Sequence, residues 1–305
     1  MNCTEQESLK PDKNFILLPE MKQVLLYISD YIKRSNRYIL LITSLFAGTL
    51  VFINYFFGLN EFIQKKDAFP VKLFAWYIVF LIAFAIPYLF ISSQIKKEDR
   101  NRFFLILLLA PFIFALKVSL NTDLTFSESL AENNFWNHII YWPVLLIICG
   151  SLIFITWKGF HPVETTYGLT TKNINWKPYI IMLAMMIPLI ALAATQPDFQ
   201  SVYPKLKNIQ SNSGELQWWQ WLLFEFSYGS DFFTIEFFFR GFLILAFIKW
   251  AGKDAILPMA CFYCTIHFGK PLGECISSYF GGILLGIVVY NTRSIWGGLL
   301  VHLGI

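Results

Sequence analysis

Residues Asp231–Trp250 read DFFTIEFFFRGFLILAFIKW, an apolar stretch that holds two charged residues, Glu236 and Arg240, in its interior. Twenty helical residues at about 1.5 Å each reach about 30 Å, the thickness of the hydrocarbon core of a bilayer. A charge at that depth costs at least about 2.5–3.5 kcal/mol, so it usually faces a protein interior or a wet cavity. Glu236 precedes Arg240 by four residues, the favourable order for a helical ion pair. The stretch therefore predicts a membrane helix with an internal ion pair that serves either a site or the packing of the bundle.

The composition of the whole chain is that of a membrane protein. Of its 305 residues, 56% are hydrophobic, 18% are aromatic and only 14% are charged, whereas soluble domains carry about 25% charged residues. The net charge of +4 is small, and the lysines and arginines gather between apolar runs, which is typical of membrane topology signals. We therefore expect an integral membrane protein that has the lipid bilayer as a partner and binds no nucleic acid.

The distribution of apolar residues divides the chain into four parts. Residues 1–37 form a polar N-terminus, and residues 38–195 form a scaffold of five spans. Residues 196–230 contain a polar loop and a tryptophan-rich segment. We predict this segment to be an interfacial or re-entrant helix that ends at a break, Gly229-Ser230-Asp231, in which Asp231 caps the next helix. Residues 231–305 form the functional core. The predicted scaffold spans are Tyr38–Leu59, Leu73–Ile91, Phe103–Leu116, Ile139–Trp157 and Tyr179–Thr195, and the core adds Ile256–Phe268, Ile276–Tyr290 and Ile295–Ile305 to the central stretch.

This pattern predicts an all-α, polytopic membrane bundle with about eight transmembrane helices. The last segment has only eleven residues, about 16 Å of helix, so we expect the natural chain to continue beyond Ile305. Basic residues orient the spans. We predict a cytoplasmic N-terminus in a bacterial inner (plasma) membrane, because basic residues cluster at three places that then share the cytoplasmic side. The cluster before the first span is Lys10, Lys13, Lys22, Lys33, Arg34 and Arg37. The cluster between the second and third spans is Lys96, Lys97, Arg100 and Arg102, and the one between the fourth and fifth is Lys158, Lys172 and Lys177.

Ionisable residues inside the predicted apolar segments occur only in the last third of the chain: Glu236, Arg240, His267 and His302. Buried histidines need hydrogen-bond partners. A carboxylate with two imidazoles can form a hydrolytic site, in which the carboxylate takes a proton from water and the imidazoles hold the water and stabilise the oxyanion. Glu236, His267 and His302 could instead bind zinc and leave one position for water. Spacing alone does not choose between a site without a cofactor, a zinc site and satisfied core residues.

Other acids and the cysteines are weaker candidates. Glu274 follows His267 by seven residues and ranks above Glu225 as an auxiliary polar residue of the site, while Asp231 lies on a different helix face from Glu236. The five cysteines, Cys3, Cys149, Cys261, Cys264 and Cys275, are odd in number and scattered, so they predict no disulfide framework. Cys261, Cys264 and His267 lack a second ligand pair with zinc-site spacing.

Three motifs in the core resemble those of the CPBP family, which comprises CAAX prenyl proteases and bacteriocin-processing enzymes and is also called Abi. Residues 235–241, IEFFFRG, are similar to the family's Glu-Glu-x-x-x-Arg motif, and residues 263–267, YCTIH, are similar to its aromatic residue four before a histidine. The glycine-rich run 280–286, the turn 292–296 and His302 resemble its closing helix and His-x-x-x-Asn motif. The resemblance covers roughly residues 215–305.

The resemblance implies an intramembrane endopeptidase that hydrolyses a peptide bond of a membrane-associated peptide or protein. Glu236 would activate water, His267 and His302 would bind it or stabilise the oxyanion, and Arg240 would hold the carboxylate. Ile235 stands where the family has its first glutamate, and the asparagine of the third motif would follow Ile305. Ile235 favours the alternative of an inactive relative that binds a peptide or membrane partner. A small-solute transporter is disfavoured because the sequence shows no inverted repeat.

Overall fold

The computed structural model describes residues 21–91, 95–161, 165–172, 174–207, 209 and 216–305, and these ranges form helices and no strand. The predicted all-α class is therefore confirmed. Lys10, Lys13 and Cys3 of the polar N-terminus, and residues 208 and 210–215 of the predicted loop, lie outside the described residues. The α-helices are α1 Lys22–Arg34, α2 Arg37–Phe57, α3 Leu59–Gln64, α4 Phe69–Phe90, α5 Arg100–Ser119, α6 Leu130–Phe160, α7 Lys177–Ala193, α8 Pro197–Val202, α9 Trp218–Ile235, α10 Ile248–Ala251, α11 Ile256–Thr265, α12 Leu272–Thr292 and α13 Trp296–Leu303.

Within the described residues, five helical segments are long and apolar enough to cross a membrane: Arg37–Phe57, Phe69–Phe90, Lys97–Ser119, Leu130–Phe160 and Leu272–Thr292. They coincide with the first four predicted scaffold spans and with Ile276–Tyr290. Helix α7, at the fifth predicted scaffold span, is apolar but has only 17 residues. The protein is thus a helical membrane protein with five supported spans, and the number of about eight stays a prediction.

The tryptophan-rich segment and the central stretch are continuous, which corrects the predicted break at Gly229-Ser230-Asp231. Helix α9 runs through all three residues and passes directly into a π-helix, Glu236–Leu245. Ser230 donates a hydrogen bond to the Ser227 carbonyl within the helix. Asp231 does not cap a helix, because its carboxylate lies 2.8 Å from the Lys117 ammonium of α5. Tertiary pairing has replaced the local cap that the sequence indicated.

The π-helix is the buried centre of the bundle, and all ten of its residues are buried. Phe238 and Phe239 pack on Phe114 of α5 and Phe262 of α11, with ring centroids 5.0–5.8 Å apart. Aromatic pairs at such distances add to the free energy gained by burying their area. π-turns are rare and concentrate at functional sites. The central stretch therefore differs from the predicted α-helix at the turns that carry Glu236 and Arg240.

Close helix contacts surround this centre at glycines. A Cβ on Gly297 of α13 would lie 2.0 Å from the Tyr179 ring of α7, and a Cβ on Gly241 would lie 2.6 Å from the Tyr167 carbonyl oxygen. Side chains cannot approach that closely, so only glycine fits at either position. The first contact holds α13 against α7, and the second holds the π-helix against the segment at Tyr167. Gly298, the next residue of α13, lies against the Glu236 carboxylate, so α13 also reaches the π-helix.

Candidate active site

The π-helix and α13 bring three of the predicted site residues together. Both Glu236 and Arg240 are 0% exposed, and Nη1 of Arg240 lies 3.3 Å from Oε1 of Glu236. Nδ1 of His302 lies 2.7 Å from the same oxygen. The guanidinium charge offsets the large cost of burying a carboxylate. The predicted ion pair within the central stretch is therefore present, and an imidazole joins it.

Tyr263 connects these groups to one another. Its hydroxyl lies 3.1 Å from Nε2 of His302, and its ring lies 3.9 Å from Cζ of Arg240 in a cation–π contact. Since a carboxylate only accepts hydrogen bonds, a neutral His302 directs its Nδ1 hydrogen towards Glu236 and accepts from Tyr263 at Nε2. The sequence marked Tyr263 only as the aromatic residue of a motif, so this connecting role was missed.

His267 joins the cluster through Tyr263. Its Nδ1 lies 3.0 Å from the Tyr263 carbonyl oxygen, and the two rings meet edge to face at 4.8 Å. A carbonyl only accepts, so Nδ1 carries the hydrogen and a neutral ring keeps a lone pair on Nε2. His267 and His302 thus lie on either side of Tyr263, one contacting its backbone and the other its hydroxyl. The arrangement gives two imidazoles with defined tautomers.

The scaffold holds the turn after His267, although it carries none of the motifs. Asn54 of α2 donates from Nδ2 to the Phe268 carbonyl at 2.9 Å, and the Tyr55 hydroxyl donates to the Lys270 carbonyl at 2.6 Å. The Asn54 side-chain oxygen accepts in turn from the Asn60 backbone N–H at 3.0 Å. Asn54 is a polar residue inside a predicted apolar span, and that was the available signal for this contact.

The three auxiliary acids have different surroundings. Glu225 is exposed, and Asp231 is occupied by Lys117. Glu274 accepts from the Tyr203 hydroxyl at 2.8 Å and from the Lys270 ammonium at 3.0 Å. These bonds attach the polar loop to the turn that follows His267. Burial, and then the Glu274 carboxylate, raise the pKa of Tyr203 above its ordinary value, so the phenol stays protonated and keeps donating at neutral pH.

Space around the Glu236 carboxylate is limited by Gly298. A Cβ on Gly298 would lie 2.4 Å from Oε2 of Glu236, so a glycine is required there. Neither carboxylate oxygen completes a well-aligned hydrogen bond among the described residues, which leaves acceptor capacity for a water molecule or a substrate N–H. The His302 side chain, which contacts Glu236, is 16% exposed, whereas Glu236 is fully enclosed.

Metal-ligand geometry lends no support to the zinc alternative. In the part of the chain that the structure describes, no group of three or more His, Cys, Asp or Glu side chains is arranged to hold a metal ion. Glu236 and His302 are in contact, but His267 reaches them only through Tyr263. Whether the chain depends on a metal stays a matter for experiment.

A comparison with protein families gives one match. Residues 217–305 match the family described as type II CAAX prenyl endopeptidase Rce1-like, and the resemblance to CPBP proteases predicted from the three motifs is thereby confirmed. No curated protein and no solved structure matches the chain significantly. The match covers less than a third of the chain and includes Glu236, Arg240, Tyr263, His267 and His302, but not Lys117, Asn54 or Tyr203.

Proposed function

We propose that this protein is an intramembrane endopeptidase of the CAAX-protease type, which hydrolyses a peptide bond of a membrane-associated peptide or protein. Two independent lines support the proposal. The family match covers the segment that carries all four predicted site residues. In the same segment, Glu236, His302, Tyr263 and His267 form a continuous series of contacts next to Arg240.

The proposed chemistry assigns one role to each side chain. Glu236 takes a proton from a water molecule as the oxygen of that water adds to the scissile carbonyl carbon, and later gives the proton to the departing amine. Arg240 holds the Glu236 carboxylate in place. We propose that His267 accepts a hydrogen bond from the water at its free Nε2. When substrate enters, His302 exchanges its bond to Glu236 at Nδ1 for a bond that Nδ1–H donates to the oxyanion on the carbonyl. Tyr263 fixes both imidazoles. We propose no resident cofactor.

The single observation that carries the proposal is the surroundings of the Glu236 carboxylate. Burial of a charge is costly unless its partners compensate, and this carboxylate has a guanidinium at 3.3 Å and an imidazole at 2.7 Å. A pair that served only packing would not need a partly exposed imidazole on the carboxylate. An enclosed carboxylate in contact with a partly exposed imidazole has the components of a water-activating site.

A second candidate rests on Ile235. This residue precedes Glu236 at the position of the first glutamate in the resembled motif, and its partly buried side chain packs against the main core. An isoleucine cannot act as a base. A relative that has lost hydrolysis could still bind a peptide or a membrane protein in the same place, and we therefore retain a non-catalytic binding protein as the alternative.

The membrane placement is also part of the proposal. We propose a bacterial inner-membrane protein with a cytoplasmic N-terminus and about eight spans, in which α7, the central stretch and the C-terminal helices add to the five supported ones. Cys3 lies in the polar N-terminus, so it can report the location. A membrane-impermeant maleimide should label Cys3 in inverted membrane vesicles and leave it unlabelled in intact spheroplasts, and the reverse pattern would overturn the orientation.

The decisive experiment is cleavage by the purified full-length protein in liposomes. The substrates are membrane-tethered and soluble peptides, including prenylated C-terminal peptides. Wild type is compared with Glu236→Gln and His267→Ala, with Glu225→Gln as the matched control on the same helix. We expect both site variants to lose at least about 10²-fold in rate, the control to retain it, and a chelator to leave wild-type cleavage intact.

Other results would change the assignment. Loss of cleavage in chelator, with recovery on adding zinc, would move the site to the metal-dependent class. A folded wild type that cleaves nothing, and that stays inactive after Ile235→Glu, would contradict the protease proposal. Capture of peptides that Glu236→Gln no longer binds would then favour the binding alternative.

A further inference from the structure

Two thiols lie against each other beside the turn that carries His267. Cys264 is in the last turn of α11 and Cys275 in the first turn of α12. Their sulfur atoms are 3.7 Å apart. Both are free and buried, with 2% and 0% of their surface exposed. The proposed hydrolysis uses neither thiol.

The two cysteines also contact each other's backbone. Sγ of Cys264 lies 3.3 Å from the Cys275 carbonyl oxygen, and Sγ of Cys275 lies 3.6 Å from the Cys264 carbonyl oxygen. A disulfide needs its sulfur atoms at about 2.05 Å, so an approach of about 1.6 Å from the present distance would join them. Rotation of the side chains and a small shift of the two helix ends can provide that approach. The pair is therefore positioned for a bond between α11 and α12.

The other cysteine of α11 offers a matched comparison. Cys261 lies one turn earlier and is also buried, but its sulfur lies 3.7 Å from the Thr43 carbonyl oxygen instead of against a second thiol. It shares the helix and the burial of Cys264 and differs in its partner. Selective chemistry at Cys264 and Cys275 would thus reflect their proximity and not merely their depth.

A groove reaches one thiol of the pair, that of Cys264. Cys264 lines a cavity of about 500 Å³ between α2 and α12, whose other walls include Tyr55, Ile276 and Tyr279. The lining is mostly apolar, and a small uncharged oxidant can enter such a groove more readily than an ion can. Hydrogen peroxide has that size and lacks charge.

We propose that Cys264 and Cys275 are a redox modification site at which a peroxide forms an intramolecular disulfide. One thiol, as its thiolate, attacks a peroxide oxygen, which breaks the O–O bond and gives a sulfenic acid and, after protonation, water. The second thiol attacks the sulfenic sulfur and releases a second water. Two thiols are oxidised, one peroxide is reduced, and atoms and electrons balance. The bridge closes residues 264–275 into a loop that contains His267.

This modification does not depend on the proposed hydrolase activity. Its test uses the full-length protein in nanodiscs with Cys3→Ser, which removes bridges between molecules through the N-terminal segment. The reduced protein is treated with increasing hydrogen peroxide, quenched in acid, alkylated under denaturing conditions, digested and measured by mass spectrometry. Glutathione in the same sample shows that the oxidant is active, and size-exclusion chromatography shows that the protein stays folded.

We expect alkylation of Cys264 and Cys275 to fall together by about tenfold while Cys261 stays alkylated, because oxidation of thiols depends on their surroundings. A cross-linked peptide that lacks two hydrogens should appear and should vanish in Cys264→Ser and Cys275→Ser, but persist in Cys261→Ser. The oxidised protein should also gain thermal stability that Cys264→Ser does not gain. Equal loss at Cys261, pairing of Cys264 with any other cysteine, or full alkylation of both thiols once glutathione is oxidised would overturn the proposal.

Discussion

The hydroxyl of Tyr263 lies 3.1 Å from Nε2 of His302 and makes the tyrosine the link between two histidines that are 35 residues apart in sequence. The Tyr263 carbonyl oxygen meets His267 at 3.0 Å. His302 in turn meets Glu236 at 2.7 Å. The predicted site residues are therefore connected through Tyr263, which a search for charged residues and histidines in apolar segments does not identify.

Tyr263→Phe tests this coupling. The ring remains for the cation–π contact with Arg240, and the hydroxyl that meets His302 is lost. We expect cleavage to fall by about tenfold, the equivalent of about 1.4 kcal/mol, because one neutral hydrogen bond contributes about 1 kcal/mol. The fall should appear in kcat with little change in KM. Tyr279→Phe, which removes a hydroxyl that meets Ser44 away from the site, should retain full activity. Equal losses in the two variants would contradict a specific role for Tyr263.

Gly298→Ala adds only one methyl group, but it should disturb the Glu236 carboxylate strongly. The added Cβ would lie 2.4 Å from Oε2 of Glu236, and Glu236 cannot retreat because Arg240 and the bundle enclose it. Overpacking of this kind costs about 1–3 kcal/mol. We expect a lower unfolding temperature and loss of cleavage. Gly281→Ala is the matched control, since a Cβ there meets nothing within 4 Å; it should be neutral or slightly stabilising.

The buried ion pair Lys117–Asp231 joins the scaffold to α9 and predicts strong non-additivity. Its side chains are only 8% and 15% exposed, so Lys117→Met leaves an unpaired carboxylate in an apolar environment and should cost about 3–5 kcal/mol. The double variant Lys117→Met/Asp231→Leu should recover most of the loss. Chemical unfolding in detergent measures the free energy of unfolding of all four proteins in this double-mutant cycle: wild type, Lys117→Met, Asp231→Leu and the double variant.

A surface pair provides the reference for that cycle. Arg34 and Asp30 are in contact at 2.6 Å but are 72% and 54% exposed, and exposed pairs contribute little. Arg34→Met should leave stability unchanged. If Lys117→Met were equally harmless, the buried pair would have no role in holding α9 against α5.

Asn54→Leu tests whether the scaffold positions His267. The change keeps the approximate shape of the side chain but removes the N–H that donates to the Phe268 carbonyl at 2.9 Å. An unpaired buried carbonyl costs about 1–3 kcal/mol, so the turn from 266 to 271 should loosen. Hydrogen exchange of that turn should accelerate, and cleavage should fall through kcat. Thr49→Val on the exposed face of the same helix, where the hydroxyl bonds only its own helix, should change neither.

The sequence by itself determined the class of protein and the positions at which a polar or charged side chain lies in an apolar segment. Apolar runs specify membrane helices because every backbone polar group must be satisfied inside the segment, and this local rule located the first four scaffold spans and Ile276–Tyr290. Charges at membrane depth are rare for the same reason, so Glu236, Arg240, His267 and His302 were identifiable one residue at a time. The three motifs then predicted the family resemblance that the match to residues 217–305 confirms.

Only the tertiary structure decided how these residues meet. The break predicted at Asp231 was wrong because a lysine more than a hundred residues earlier occupies its carboxylate. The α-helix predicted through Glu236 is a π-helix at the centre of packed aromatic rings. Asn54, Tyr263, Gly298 and the Cys264–Cys275 pair act through contacts between different helices. Hydropathy and spacing report what one helix does alone, whereas hydrogen bonds and close packing between helices depend on which faces the folded bundle brings together.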